Sequence, residues 1–359
     1  MRFASRFLSV VMLCAMVSFA FISCKPAEIA KETTVETATT EATSTETAAP
    51  TEEAEELDFV IMAKGVHPWF EPGGEGFAAA AEKIGGIKTR YVAPAEWSGE
   101  AQAKMMEDLI SEGVDGIAVA VFDVDALVPV INEAISIGIP VVTWDADADG
   151  SDRVFFSGTD NLSAGKLTGE EFVKFTGGKA NFVIFCQELT GKNIKQRIEG
   201  IRSVTKNSPD MVEVTDEQPY NNDMGKALEL SENIIDAYPY PKLNAALDVG
   251  VEGVVAMGKT LKERGIEPGK YVLIDWAALP DVIAGINDGY ITATLEQNAY
   301  AMGYFSAYAL KYYSDGKKPN KTFFNTGIAT FTKENIGNFG EINRKNAVDM
   351  QKEFEKLWE

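Results

Sequence analysis

From residue 57 onward the chain alternates short, continuously apolar runs with longer segments whose apolar positions recur every three or four residues. Runs such as "DFVIMA", "DGIAVAV", "IPVVTW" and "RVFFSG" carry β-branched and aromatic residues on both faces, the pattern of strands buried between helices in a parallel sheet. Between them, "GEAQAKMMEDLISEG" places Ala103, Met106, Leu109 and Ile110 on one helical stripe. After Thr159 the alternation restarts, with strands "ANFVIF", "NAALDV" and "YVLIDW" separated by helical segments. The pattern predicts an α/β fold of two Rossmann-like lobes, each a parallel sheet covered by helices.

In open sheets of this kind ligands bind beyond the carboxyl ends of the strands. The residues just after the strands are therefore the informative ones: His67, Trp69 and Phe70 after the first, Asp145 and Asp147 after the fourth, and Asp275 with Trp276 late in the second half. Aromatic rings and acids gathered there suit a carbohydrate. A sugar offers C–H faces that stack on rings and hydroxyls that both donate and accept hydrogen bonds to carboxylates, amides and guanidinium groups.

Composition changes the picture at the N-terminus. "MRFASRFLSVVMLCAMVSFAFISC" sets Arg2 and Arg6 before an apolar run of signal-peptide length that ends in Cys24, so residues 1–23 are excluded from the fold. A run of this kind ending in cysteine resembles a bacterial lipoprotein signal, which implies lipidation of Cys24 and a membrane anchor. Residues 25–56 hold nine Thr, nine Glu, two Lys and no aromatic residue, so 24–56 reads as an anchor followed by a disordered tether. The chain carries −21; the two arginines add +2 and the tether −7, leaving −16 on the rest, which argues against a nucleic-acid partner. Cys186 is the one cysteine of the folded part, inside an apolar run, and reads as a core residue.

Two motifs point elsewhere. "DADADG" at 145–150 opens like a calcium loop, but Phe156 stands where the bidentate Glu belongs and a strand precedes it where a helix is needed. "GVVAMGKT", Gly253 to Thr260, matches a phosphate-binding loop, yet its apolar residues continue into "LKERG" as an amphipathic helix. With His67 as the single histidine, catalytic dyads and histidine metal sites have little material. No cofactor, metal or catalytic residue is expected.

The segments then match a known family in order and spacing. The chain resembles the periplasmic ribose and galactose binding proteins of ABC importers across residues 57 to about 334. "HPWF" resembles the family's opening turn, which carries His67, Trp69 and Phe70 over as ligand contacts. "VTWDA" gives Asp145, "KQRIEGI" gives Arg197, "VLIDW" gives Asp275 and "ATLEQ" gives Gln297, while "TDNLSAG" resembles the first crossing between lobes. The departures are Ala146 where the family has Arg, Asn222 at the second lobe's aromatic position, and Gly250 where a binding Asn is usual. Asp147 is carried as a second acid.

The resemblance implies a type I periplasmic binding protein fold with a multi-strand hinge. The first lobe would comprise 57–158 with 298–326, and the second 159–297 with 327–359 including a terminal helix. It further implies a monomeric, extracytoplasmic, non-enzymatic lipoprotein that captures a neutral sugar or polyol and delivers it to ABC permease subunits. The alternative is a receptor that senses a sugar-like or furanosyl signal for a chemotaxis or sensor protein.

Overall fold

The computed structural model describes residues 56–189 and 191–359. The signal, Cys24 and the tether up to residue 55 lie outside the described residues. Among the described residues, no helix is long and apolar enough to cross a membrane.

The first half runs β1 (Leu57–Met62), α1 (Glu71–Ile84), β2 (Ile87–Val92), α2 (Gly99–Glu112), β3 (Gly116–Val119), α3 (Val124–Ser136), β4 (Val141–Trp144) and β5 (Phe155–Gly158). The chain then crosses into α4 (Asn161–Thr176), β6 (Ala180–Cys186), α5 (Lys192–Thr205), β7 (Met211–Glu213), β8 (Gln218–Pro219) and α6 (Met224–Ala237). It continues through β9 (Ala245–Asp248), α7 (Glu252–Glu263), β10 (Val272–Asp275), α8 (Pro280–Asp288) and β11 (Ala293–Gln297). A return through α9 (Ala299–Ser314) and β12 (Phe323–Asn325) precedes a last crossing into β13 (Ile328–Phe331) and α10 (Phe339–Glu355).

Polar residues set the helix starts. Ser98, Asp123, Asp160, Asp223 and Asn298 each accept a backbone N–H from the first turn of the helix that follows, satisfying donors that have no partner within the helix.

The first sheet has the order β12-β5-β4-β3-β1-β2, with every pairing parallel. The second runs β13-β11-β10-β9-β6-β7, with β8 beside β6 and β13 antiparallel to β11. In each the strand order reverses once, between β1 and β3 and between β6 and β9, which places a crevice at the carboxyl ends there. α9 packs so closely on α1 that a Cβ on Gly303 would sit 1.8 Å from the carbonyl oxygen of Gly73, so glycine is what this contact admits.

Three segments join the lobes, at Gly158–Thr159, Gln297–Asn298 and Asn325–Thr326. The terminal helix departs from the expected division, which placed 327–359 wholly in the second lobe. β13 belongs to the second sheet, and Phe339 packs edge-on against Phe331 there, ring centres 6.2 Å apart. Further along α10, Ala347 and Phe354 are buried in the first lobe's core with Trp358 just beyond. Asn298 at the second crossing donates its amide to the carbonyl of Asn343, 2.8 Å away, so α10 spans the hinge. Its apolar stripe finds more ring surface on α9 and β5 than on the second lobe.

Candidate functional site

The second lobe supplies the floor of the cleft. Arg197 on α5 is buried, and its guanidinium lies 4.1 Å from the centre of the Trp276 ring, whose own N–H is fixed on Thr168. It donates Nε to Asn161 Oδ1 (2.8 Å), Nη1 to the Val249 carbonyl (2.9 Å) and Nη2 to Gln297 Oε1 (3.2 Å). All three acceptors are neutral, so the cation has no direct counter-ion among them and keeps N–H groups to offer. Burial lowers its pKa to about 10, against the pull of Asp145, Tyr220 and Asp248, and it stays charged at neutral pH.

Around it stand carboxylates delivered by strand ends. Asp248 closes β9 and accepts the N–H groups of Gly250 and Gly253, both at 2.7 Å, so it caps the start of α7. Burial pushes its pKa up to about 7. Asp275 closes β10; one oxygen takes the N–H of Trp276 at 2.6 Å, while Oδ2 is buried with no protein partner. Burial, and then the charge of Asp248, raises the Asp275 pKa well above the usual range. Glu252 at the start of α7 likewise keeps a buried Oε2 without a partner. A buried acceptor left in this way costs about 1–3 kcal/mol, which a ligand hydroxyl would recover.

The first lobe supplies the roof. Asp145, immediately after β4, has φ 60, an uncommon conformation for a residue with a side chain, and pairs with Lys64 at 2.8 Å. His67 Nδ1 accepts the N–H of Trp69 at 3.1 Å, and the ring meets Phe70 and Trp97 edge-on. Phe70 is sunk in the core against Trp144, whereas Trp69 is half-buried and its side chain lies close enough to Glu296 of the second lobe to draw that carboxyl's pKa down. The ion pair of Lys192 with Asp149 also links the lobes.

Two expected residues sit differently. Asp147 is saturated within its own lobe: it takes Arg153 Nε and Nη2, both at 2.5 Å, Thr143 Oγ1 at 2.6 Å and the N–H of Ala148 at 2.9 Å. Its oxygens are spent on fixing the rim. Asn222 lies exposed with φ 55, and Tyr220, two residues earlier, is the aromatic that this strand end buries. The Tyr220 hydroxyl accepts the N–H of Val251 at 2.9 Å and donates to Asp248 at 3.3 Å. It also explains Gly250, where a Cβ would come within 2.0 Å of that hydroxyl.

Lys64, Asn161, Tyr220, Asp248, Glu252 and Glu296 were not singled out from the sequence. Asp248 alone carried a signal, an acid ending an apolar strand as Asp145 and Asp275 do. Gly253 to Thr260, the phosphate-loop match, falls within α7, with the Gly253 N–H spent on Asp248. Among the described residues there is no group of three or more His, Cys, Asp and Glu placed to hold a metal ion.

Glu296 makes the pH behaviour testable. Burial raises its pKa to about 8, opposed by the N–H of Ala278 at 2.5 Å and by Trp69. Between its ordinary value and pH 8 the folded state therefore binds more protons than the unfolded chain, so this group makes stability fall as pH rises through that window and flatten above it. Thermal unfolding from pH 5 to 9 is expected to show that decline, with a shallower slope in Glu296→Gln. Equal slopes would mean that the carboxyl is ionised in the fold.

The two linked sheets and the residue-lined cleft define a class, and the sequence comparison agrees: residues 59–318 match the model of the periplasmic binding protein domain, and the chain belongs to that family. It is similar to the galactofuranose-binding protein of Escherichia coli, 30% identical over 252 residues that cover 67% of this chain and 77% of the relative. The ribose import binding protein of Bacillus subtilis is 24% identical over 284 residues, 77% of this chain and 88% of the relative. Among solved structures, an ABC transporter solute binding protein from Burkholderia graminis in complex with D-arabinose aligns with a TM-score of 0.72 and 29% identity, covering 80% of this chain and 99% of that one.

Proposed function

We propose that the protein is an extracytoplasmic solute-binding lipoprotein of an ABC importer, held to the membrane through Cys24, that captures a neutral sugar or polyol between its lobes. The observation that carries this reading is the unspent hydrogen-bonding capacity of the second lobe's strand ends: buried Asp275 Oδ2 and Glu252 Oε2 lack protein partners, and the Arg197 guanidinium meets only neutral acceptors. Hydroxyls satisfy both kinds of group, because each donates and accepts.

His67, Trp69 and Asp145 would close on the ligand from the first lobe, and Arg197, Asp275 and Gln297 would hold it from the second. Only the closed arrangement gives the ligand contacts from both sides, so binding shifts an open-closed equilibrium, and the closed form is what a permease would recognise. No bond is made or broken. The relatives named for galactofuranose and ribose support a sugar as ligand.

The test is thermal unfolding against D-ribose, D-arabinose, D-xylose, D-galactose, L-rhamnose and xylitol, with calcium and ATP beside them. A ligand at 100 times its dissociation constant adds about 2.7 kcal/mol, a rise of several degrees. A midpoint that responds to no sugar or polyol would remove the reading.

A further inference from the structure

We infer that α10 is a strap across the hinge: its end is fixed in the core of the first lobe, its start seats on the second lobe when the lobes are together, and that seating sets the fraction of protein held closed. The inference goes beyond the sugar-binding reading and does not depend on which ligand the cleft takes.

The two ends of α10 are held unequally. Toward its end, Ala347 and Phe354 are wholly buried in the first lobe's core, and Trp358 nearly so. The chain just beyond is tied to the same lobe, where Asn320 donates its backbone N–H to the Leu357 carbonyl at 2.7 Å and its side-chain amide to the Lys356 carbonyl at 2.9 Å. At the start, Phe339 and Ile342 are only half-buried against the second lobe's core. No side chain caps this first turn, so it lacks the bond that holds the starts of α2, α3, α4, α6 and α9 in place.

Between these ends α10 crosses the hinge without filling the space beside it. A cavity of about 250 Å³ lies between the helix and the hinge segments, with Asn298, Thr326, Gly327, Ile328, Asn343 and Met350 in its lining. One hydrogen bond bridges here, from the Asn298 amide to the Asn343 carbonyl, while Asn343 Oδ1 is buried without a protein partner. Close packing locks the parts that it joins, so a gap at the pivot leaves room for the lobes to turn. The open amide oxygen is then an acceptor for a donor that a second arrangement brings to it.

In the arrangement described the lobes touch: Lys192 pairs with Asp149 across the cleft, and Trp69 stands beside Glu296. Phe339 is seated edge-on against Phe331 in that same arrangement. Turning the second lobe away carries Phe331 with its sheet, while the rings around Phe354 keep α10 with the first lobe, so the Phe339 contact is the one that yields. Its burial is gained on closing and lost on opening. A contact made in one state alone shifts the equilibrium toward that state, and apparent affinity scales with the fraction that is competent to bind.

Small-angle X-ray scattering of the protein without added sugar is the direct test. Phe339→Ala should enlarge the radius of gyration relative to wild type, with Phe339→Leu between the two. Titration of the same samples with the best binder of the panel above should give a dissociation constant raised roughly tenfold in Phe339→Ala, the effect of a closed fraction reduced by that factor. Saturation with that sugar should return the variant to the wild-type radius, because its lobes still close; a radius that stays large would mean an expanded lobe and would overturn the strap. Phe339→Leu carries the test should the alanine variant lose its cooperative unfolding transition. A sugar-free radius equal to wild type in both variants would also overturn the strap, whatever their affinities. That measurement needs no ligand, so it stands apart from the sugar panel, whose failure would remove the sugar-binding reading alone.

Discussion

Arg197→Ala is expected to abolish ligand capture, raising the dissociation constant roughly a thousandfold, and Arg197→Lys to cost roughly a hundredfold. The guanidinium is buried and ties together the starts of α4 and α7's loop, the end of β11 and the Trp276 ring through three hydrogen bonds and a stacked contact at 4.1 Å. Truncation leaves Asn161, Gln297 and the Val249 carbonyl unpaired in a water-poor site, at about 1–3 kcal/mol for a buried orphan. It also removes a desolvated cation–π contact of about 2 kcal/mol and the charge-assisted bonds to ligand. Lysine restores a charge and loses the planar fork, so it cannot serve three acceptors in fixed directions and lie flat on Trp276 as well. Titration with the sugar that most raises the unfolding midpoint checks both variants. Retention of affinity within tenfold in Arg197→Ala would place the ligand elsewhere.

The fold was legible because its rules are local. Continuous apolar runs announce strands covered on both faces, and polar caps announce helix starts, each within a dozen residues of chain. Asp145 and Asp275 stood out for a related reason, since a strand end fixes where such a side chain must point, whereas Arg197 was carried over only by the resemblance of "KQRIEGI" to the family's helix.

What the sequence did not reveal depends on partners far away in the chain. Asp147 has the right residue type in the right loop, but Arg153, six positions later, turns back and takes both of its oxygens. Nothing in a linear pattern says which of two neighbouring acids is neutralised. Lys64 is 81 positions from the Asp145 that it holds, and Lys192 pairs with Asp149 on the other lobe. The exclusion of a side chain at Gly250 depends on a tyrosine hydroxyl that arrives from another strand end. Such residues become readable only after the sheets have set the strand ends side by side. The tail shows the same limit: Ala347, Met350, Phe354 and Trp358 spell out an apolar stripe, and the stripe alone does not say which lobe it covers.

That stripe gives the largest expected effect on stability. Phe354 is wholly buried in a shell of rings, stacked on Phe305 at 4.7 Å and edge-on to Phe324 at 5.3 Å and Phe155 at 5.6 Å, with Trp358 beyond it. Phe354→Ala should cost about 3–5 kcal/mol, because a cavity surrounded by aromatic rings held on α9, β5 and β12 cannot collapse to fill itself. Against a total stability of roughly 5–15 kcal/mol, a fall of roughly 10 °C in the unfolding midpoint follows. The site lies away from the cleft, so variant that remains folded should bind ligand within about threefold of wild type, the reverse of the Arg197 pattern. Calorimetric unfolding and titration of the same samples separate the two cases. A midpoint within 2 °C of wild type would mean that α10 only rests on the first lobe, whereas the expected fall makes the segment beyond the matched family domain part of that lobe's core.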